Sequence, residues 1–267
     1  MTDWIEANGA SFRYDLVRRG APATLVLVHE IGGAIESWDE SLPVFTAHFD
    51  VLRYDQRGFG LSEKADALDI DGIVADLAAL LDALGLHAPV CLAGAAMGAG
   101  IALAFAHAHP ARARGLAIAS PALGYPPGAP LAVLEQRADI VAREGMRATT
   151  DLGFERSYPE ALRDQGEARA RFERYRRRWL GNDPQGLAAV SRVASRMHLQ
   201  PLLATLRCPT LVMGCSHDPI RPAAQSRAIA GQIPGARFTE IAAGHFAAVQ
   251  APLLFARTAS DFLRALP

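Results

Sequence analysis

Six short runs of β-branched and aliphatic residues recur along the chain: TLVLVH (24–29), FDVLRYD (49–55), PVCLAG (89–94), GLAIAS (115–120), PTLVMG (209–214) and RFTEIA (237–242). Runs of this length bounded by turn residues predict strands buried on both faces. Between the second and third, DGIVADLAALLDAL (71–84) spaces its apolar residues for a helix, with Asp71 as the predicted cap and Gly85 as the stop. The Ala-rich run 97–108 is too short for a membrane span and predicts a buried helix. Strands alternating with helices place the chain in the α/β class. The expected architecture is a mostly parallel, doubly wound sheet with right-handed crossovers and helices on both faces.

One segment breaks the alternation. From about 122 to 200 no strand pattern appears, and several helix-like stretches follow the opening GYPPGAP. In a doubly wound sheet, an insertion after a strand's carboxyl end lies over the ligand crevice. The predicted division is therefore a core of residues 1–121 and 201–267 with a helical lid over 122–200. A chain of 267 residues accommodates one core with a small cap.

Composition narrows the function classes. Half of the residues are apolar, and 27 Lys and Arg against 28 Asp and Glu leave a net charge of −1. No global basic field exists to gather nucleic acid or anionic lipid, so neither is an expected partner. Three cysteines, an odd number, argue against a disulfide framework. The first fifteen residues carry acids and no apolar run, which predicts no secretory signal and a soluble, cytoplasmic protein. Charge is uneven only locally: residues 163–196 hold nine arginines against four acids. Most of these must form a solvated face, while one or two turned inward would suit a carboxylate-bearing ligand.

The chemistry concentrates in a few turns. Gly94-Ala-Ala-Met-Gly98 lies between a predicted strand and a predicted helix, the context of a G-x-S-x-G nucleophile turn, yet Ala96 stands where the serine would be. HEIGGA (29–34) follows the strand TLVLVH and resembles an oxyanion-hole loop, so that the amides of Ile31 and Met97 are the two candidate donors. YDQRGFGLSE (54–63) follows the next strand. Asp218 in GCSHDPIRP and His245 in AAGHFAAVQAP each sit just past a strand. His107 and His109, two apart on a helix, face different directions, and GAAMGAG lacks dinucleotide-fingerprint spacing. Neither a metal nor a cofactor is expected.

Four motifs in this order, over nearly the whole chain, resemble the α/β-hydrolase fold family. They are similar to those of small bacterial enzymes that include 3-oxoadipate enol-lactonases, and the alanine turn is also similar to that of aminoacrylate hydrolase. The resemblance implies the order nucleophile, acid, histidine, here Ala96, Asp218 and His245, with His29 and Glu30 beside the substrate. It implies hydrolysis of a small ester or enol-lactone bearing a carboxylate. The alternatives are an enamine hydrolase or cofactor-free lyase with His245 as general base, and a non-catalytic binder. Ala96 accordingly has three readings: a serine enzyme inactivated by loss of its nucleophile, an enzyme in which His245 activates water directly, or a binder that kept the pocket. Glu30 departs from the family, which has glycine there. An anion beside an oxyanion hole opposes its electrostatic task, so Glu30 is expected to turn toward solvent or an arginine.

Overall fold

The structure, a computed structural model, describes residues 2–125, 131–163 and 166–266, without the side chains of 132–134 and 151–153. Eight strands form one sheet: β1 (Asp3–Ala7), β2 (Ala10–Val17), β3 (Thr24–Val28), β4 (Asp50–Tyr54), β5 (Val90–Ala95), β6 (Ala113–Ala119), β7 (Thr210–Cys215) and β8 (Arg237–Ile241). Their order is β1-β2-β4-β3-β5-β6-β7-β8. Every pairing from β4 to β8 is parallel, as the alternating pattern predicts. The first two strands were not predicted. They form an antiparallel hairpin closed by Asn8 and Gly9, both at positive φ (46° and 68°), the conformation of a two-residue type I′ turn.

The strand interiors sort by parity. Leu25 and Leu27 of β3 join one apolar cluster with Phe45 of α1 (Leu42–Thr46) and Phe255 of α9 (Pro252–Leu263). Val26 and Val28 join another, with Leu77 of α2 (Ile70–Ala83), Ile101 of α3 (Met97–Ala108) and Ile229 of α7 (Ala223–Ala230). Helices therefore cover both faces. Two expectations need correction. The cap of α2 is Asp69, not Asp71: the Asp69 carboxylate accepts the Gly72 amide at 2.7 Å, which satisfies one otherwise orphaned donor. And β8 is an edge strand whose residues are largely half-buried or exposed, because no ninth strand flanks it.

Between β6 and β7 the described residues form α4 (Ala132–Glu144), α5 (Gly166–Leu180) and α6 (Pro184–Arg196), with a single isolated bridge, Gly124 to His198. Most of the GYPPGAP opening, residues 126–130, lies outside the described residues. This helical segment meets the core through aromatic rings. Phe154 contacts Phe172, Tyr175 and Trp179 at centroid distances of 5.4–5.5 Å, and Phe246, which follows β8, at 6.4 Å. Rings bury large area at small entropic cost, and their stacked and tilted contacts add to that burial. Phe154 is wholly buried at the centre of this cluster. Phe154→Ala is expected to destabilise the protein by about 3–5 kcal/mol, measured by urea unfolding.

Candidate active site

The direction of the crossovers reverses at β3, since β4 lies on one side of it and β5 on the other. In such sheets the crevice outside the carboxyl ends of the two central strands is where ligands bind. The loop after β3 and the turn after β5 both end there. That turn is tight for a visible reason. A Cβ on Gly98 would stand 2.0 Å from the Val28 carbonyl oxygen, and one on Gly94 would stand 2.7 Å from the Gly98 backbone. Only glycine permits α3 to start so close to β3. Ala96, at the apex, is forced to φ 51° and ψ −114°, a strained region for a residue with a Cβ. Its backbone is tied on both sides: its amide donates to the Ala119 carbonyl at 3.0 Å, and its carbonyl accepts the Ala122 amide at 2.9 Å.

A cavity of about 320 Å³ opens at this turn, lined by Ile31, Ala96, Met97, Trp179, His245 and Phe246, among others. That volume suits a small ligand. Among the described residues, the amides of Ile31 and Met97 have no acceptor, and both residues line the cavity. The His245 Nδ1–H donates to Asp218 Oδ2 at 2.9 Å, which leaves Nε2 as the basic nitrogen. The other carboxylate oxygen, Oδ1, accepts the amides of Ile220 and Arg221 at 2.8 and 2.9 Å. Burial alone would raise the Asp218 carboxyl, but the His245 hydrogen bond and charge, helped by the Arg221 amide, hold it below its ordinary value. Asp218 is therefore the anion that orients and stabilises the ring. His217 is exposed.

The residues read from the sequence thus divide into two groups. Ile31, Ala96, Met97 and His245 share the cavity, with Asp218 behind the imidazole. His29 and Glu30 do not line it. His29 is fully buried: its Nδ1–H donates to the Glu30 carbonyl at 2.7 Å, and its Nε2 accepts the Gln56 amide at 3.0 Å. Glu30 turns neither to solvent nor onto a guanidinium. Its side chain is completely buried, and Oε1 accepts the hydroxyls of Ser37 at 2.8 Å and Tyr175 at 2.7 Å.

The arginine-rich stretch is also corrected. Arg171 and Arg174 pair with Glu40, Arg192 with Asp139 and Arg196 with Glu135. The two arginines that do reach the cavity, Arg137 and Arg156, precede that stretch and were not singled out. Among the described residues, neither has an acidic partner, and the charge that acts on Arg137 is that of Arg156. Burial, and then the neighbouring Arg156 charge, lower the Arg137 guanidinium from its ordinary value. No group of three or more His, Cys, Asp and Glu side chains among the described residues is placed to hold a metal, and none of their helices is long and apolar enough to cross a membrane.

The α/β hydrolase fold profile matches residues 23–252. The chain belongs to the α/β-hydrolase family. It is 26% identical over 242 residues to pyrrolizixenacetamide deacetylase of Xenorhabdus hominickii, covering 90% of each chain. It is 24% identical to 3-oxoadipate enol-lactonase 1 of Acinetobacter baylyi, covering 92% of this chain and 90% of the relative. The crystal structure of the enol-lactonase from Burkholderia xenovorans LB400 superposes with a TM-score of 0.91 at 27% identity, over 98% of this chain and 99% of that one. These relatives are hydrolases, and by its membership this α/β hydrolase is one too.

One pH effect follows from the buried imidazole behind the loop. Burial holds the His29 value below its ordinary 6.5, so below that pH the unfolded chain binds a proton that the folded one refuses. Its contribution to stability is complete above about pH 6.5 and declines as the pH falls. Urea unfolding between pH 7.5 and 5.5 is expected to show a loss of stability in the unmodified protein that is reduced in His29→Gln.

Proposed function

We propose that this hydrolase cleaves a small ester or enol-lactone bearing a carboxylate, using water activated by His245 rather than a covalent intermediate. The observation that carries the reading is the His245–Asp218 bond behind a cavity that also holds Ala96 and two unaccepted amides. Nε2 takes a proton from a water molecule, and the oxygen of that water attacks the acyl carbon. The carbonyl oxygen becomes an oxyanion that the Ile31 and Met97 N–H groups stabilise. Collapse of this intermediate breaks the bond to the leaving oxygen, which takes the proton back from His245. Ala96 has no atom that can enter this sequence. Its methyl group leaves the space above the turn to the water. The helical segment between β6 and β7 acts as the lid.

The carboxylate is supported by Arg137 and Arg156. Two guanidiniums that have no acidic partner among the described residues line one cavity and repel each other, and a substrate anion relieves that repulsion through charge-assisted hydrogen bonds. The enol-lactonases among the relatives agree with this class.

A second reading, an inactivated serine enzyme with Ala96 in the place of its nucleophile, is favoured by the backbone. The strained conformation at residue 96 costs a residue with a Cβ about 1 kcal/mol relative to glycine, and a nucleophile turn is where such strain serves a purpose.

The test is release of p-nitrophenolate from the mono-p-nitrophenyl ester of glutaric acid. The protein as it stands is expected to turn over this ester, and His245→Ala to lose about 10²–10⁴-fold. The neutral p-nitrophenyl butyrate is expected to fall at least about tenfold in kcat/KM, the effect of one lost charge-assisted hydrogen bond. No turnover until Ala96→Ser is introduced would support the second reading. Saturable binding without turnover in either form would overturn both.

A further inference from the structure

Glu30 is the one charged residue in the loop that carries the Ile31 amide, and its surroundings are unusual. A wholly buried carboxylate is costly unless its oxygens are well bonded. Here both bonds, from the Ser37 and Tyr175 hydroxyls, fall on Oε1, and Oε2 has no partner. The Arg178 guanidinium lies over the Tyr175 ring at 5.0 Å and donates to Ser37 Oγ at 3.3 Å, so the nearby positive charge reaches Glu30 through a hydroxyl. The carboxylate oxygen is the point where hydroxyls from two separate elements converge.

What it meets is helix α5. Tyr175, 145 residues away in sequence, is the donor that crosses from the helical segment to the loop. One turn further along α5, the Trp179 ring lies against Gly32, where a Cβ would come within 2.4 Å of it, at a position with φ 74°. Just beyond the helix, the Asn182 amide donates to the Gly32 carbonyl at 3.0 Å. On the core side, the Gln56 amide holds the His29 carbonyl at 2.7 Å, and the loop closes on itself through Gly33 N–H to the Glu30 carbonyl at 3.0 Å. Residues 29–33 are thus gripped from two directions. Ile31, which lines the cavity and whose amide has no acceptor among the described residues, lies between the Tyr175 and Trp179 contacts.

We infer that Tyr175 and Glu30 are positioning residues for the oxyanion donor: their bond docks the end of α5 onto loop 29–33 and holds the Ile31 amide at the cavity. Docking of the helical segment and assembly of the oxyanion hole are then one event. The Tyr175 phenol suits this task, because burial and then the Glu30 charge push it well above its ordinary value, and it stays a donor at every physiological pH. The inference rests on the hydrolytic reading above for its catalytic consequence, but its geometric content does not.

Two measurements on Tyr175→Phe test it. Hydrogen exchange of the segment 29–36 is expected to rise about ten- to a hundredfold, with exchange in β5 and β6 unchanged. With the glutaric hemi-ester, kcat is expected to fall about tenfold while KM stays within about twofold, since the lost contact acts on the transition state. Glu30→Gln, whose carbonyl oxygen still accepts both hydroxyls, is expected to stay within about threefold of the unmodified protein, and Glu30→Leu to match Tyr175→Phe. Unchanged exchange in 29–36, or a rise spread through the whole core, would overturn the inference. So would a loss expressed in KM alone. If the unmodified protein does not hydrolyse the ester, the proposed function fails, and the exchange experiment still decides this inference.

Discussion

The approach of α3 to the carboxyl end of β3 constrains everything at the cavity. Gly98 lets the helix begin where a single methyl group would meet the Val28 carbonyl. Because the helix begins there, the chain must turn at Ala96 with a positive φ. Because it turns there, the Met97 amide, first of the orphaned donors of α3, is presented beside the loop that carries Ile31. These donors belong to the backbone, so they survive any side chain at residue 96 that tolerates the turn. That separates two tasks that serine hydrolases combine at one position: shaping the oxyanion site and supplying a nucleophile.

The electrostatics follow the same economy. Negative charge is kept on Asp218, behind the imidazole, where two loop amides and His245 absorb it. Glu30 lies in the same loop as Ile31, yet its carboxylate is held away from the cavity by Ser37 and Tyr175. Positive charge without an acidic partner among the described residues lines the cavity at Arg137 and the exposed Arg156. An anionic substrate would meet donors at both ends: guanidiniums for its fixed charge and amides for the charge that develops.

Much of this was legible in the sequence, for identifiable reasons. Strands β3 to β7 are runs whose neighbours cover both faces, so their apolar character needs no alternation to be seen, and the observed bounds of all six predicted strands, the edge strand β8 included, agree within two residues. The hairpin β1-β2 was missed although Asn8-Gly9 is a strong turn signal, because β1 is short and mostly exposed and β2 carries the charged residues Arg13 and Asp15 within its apolar run. The cap of α2 was misplaced by two residues because Asp69 and Asp71 carry the same chemistry, and only backbone direction separates them. At the site, Ala96, Asp218 and His245 were found because each follows a strand. Tyr175 and Arg137 were not, since their roles depend on how helices between β6 and β7 pack over the sheet, and no local pattern encodes that. Glu30 was misread for the same reason: the donor that keeps it buried is 145 residues away.

The central claim is that residue 96 takes no part in bond making. Rapid mixing of the protein with excess glutaric hemi-ester, followed by acid quench and intact-protein mass measurement, addresses it directly. The account requires product to form linearly from the first turnover, with the quenched protein at its unmodified mass. A burst equal to the protein concentration, or a mass increased by one acyl group, would contradict it.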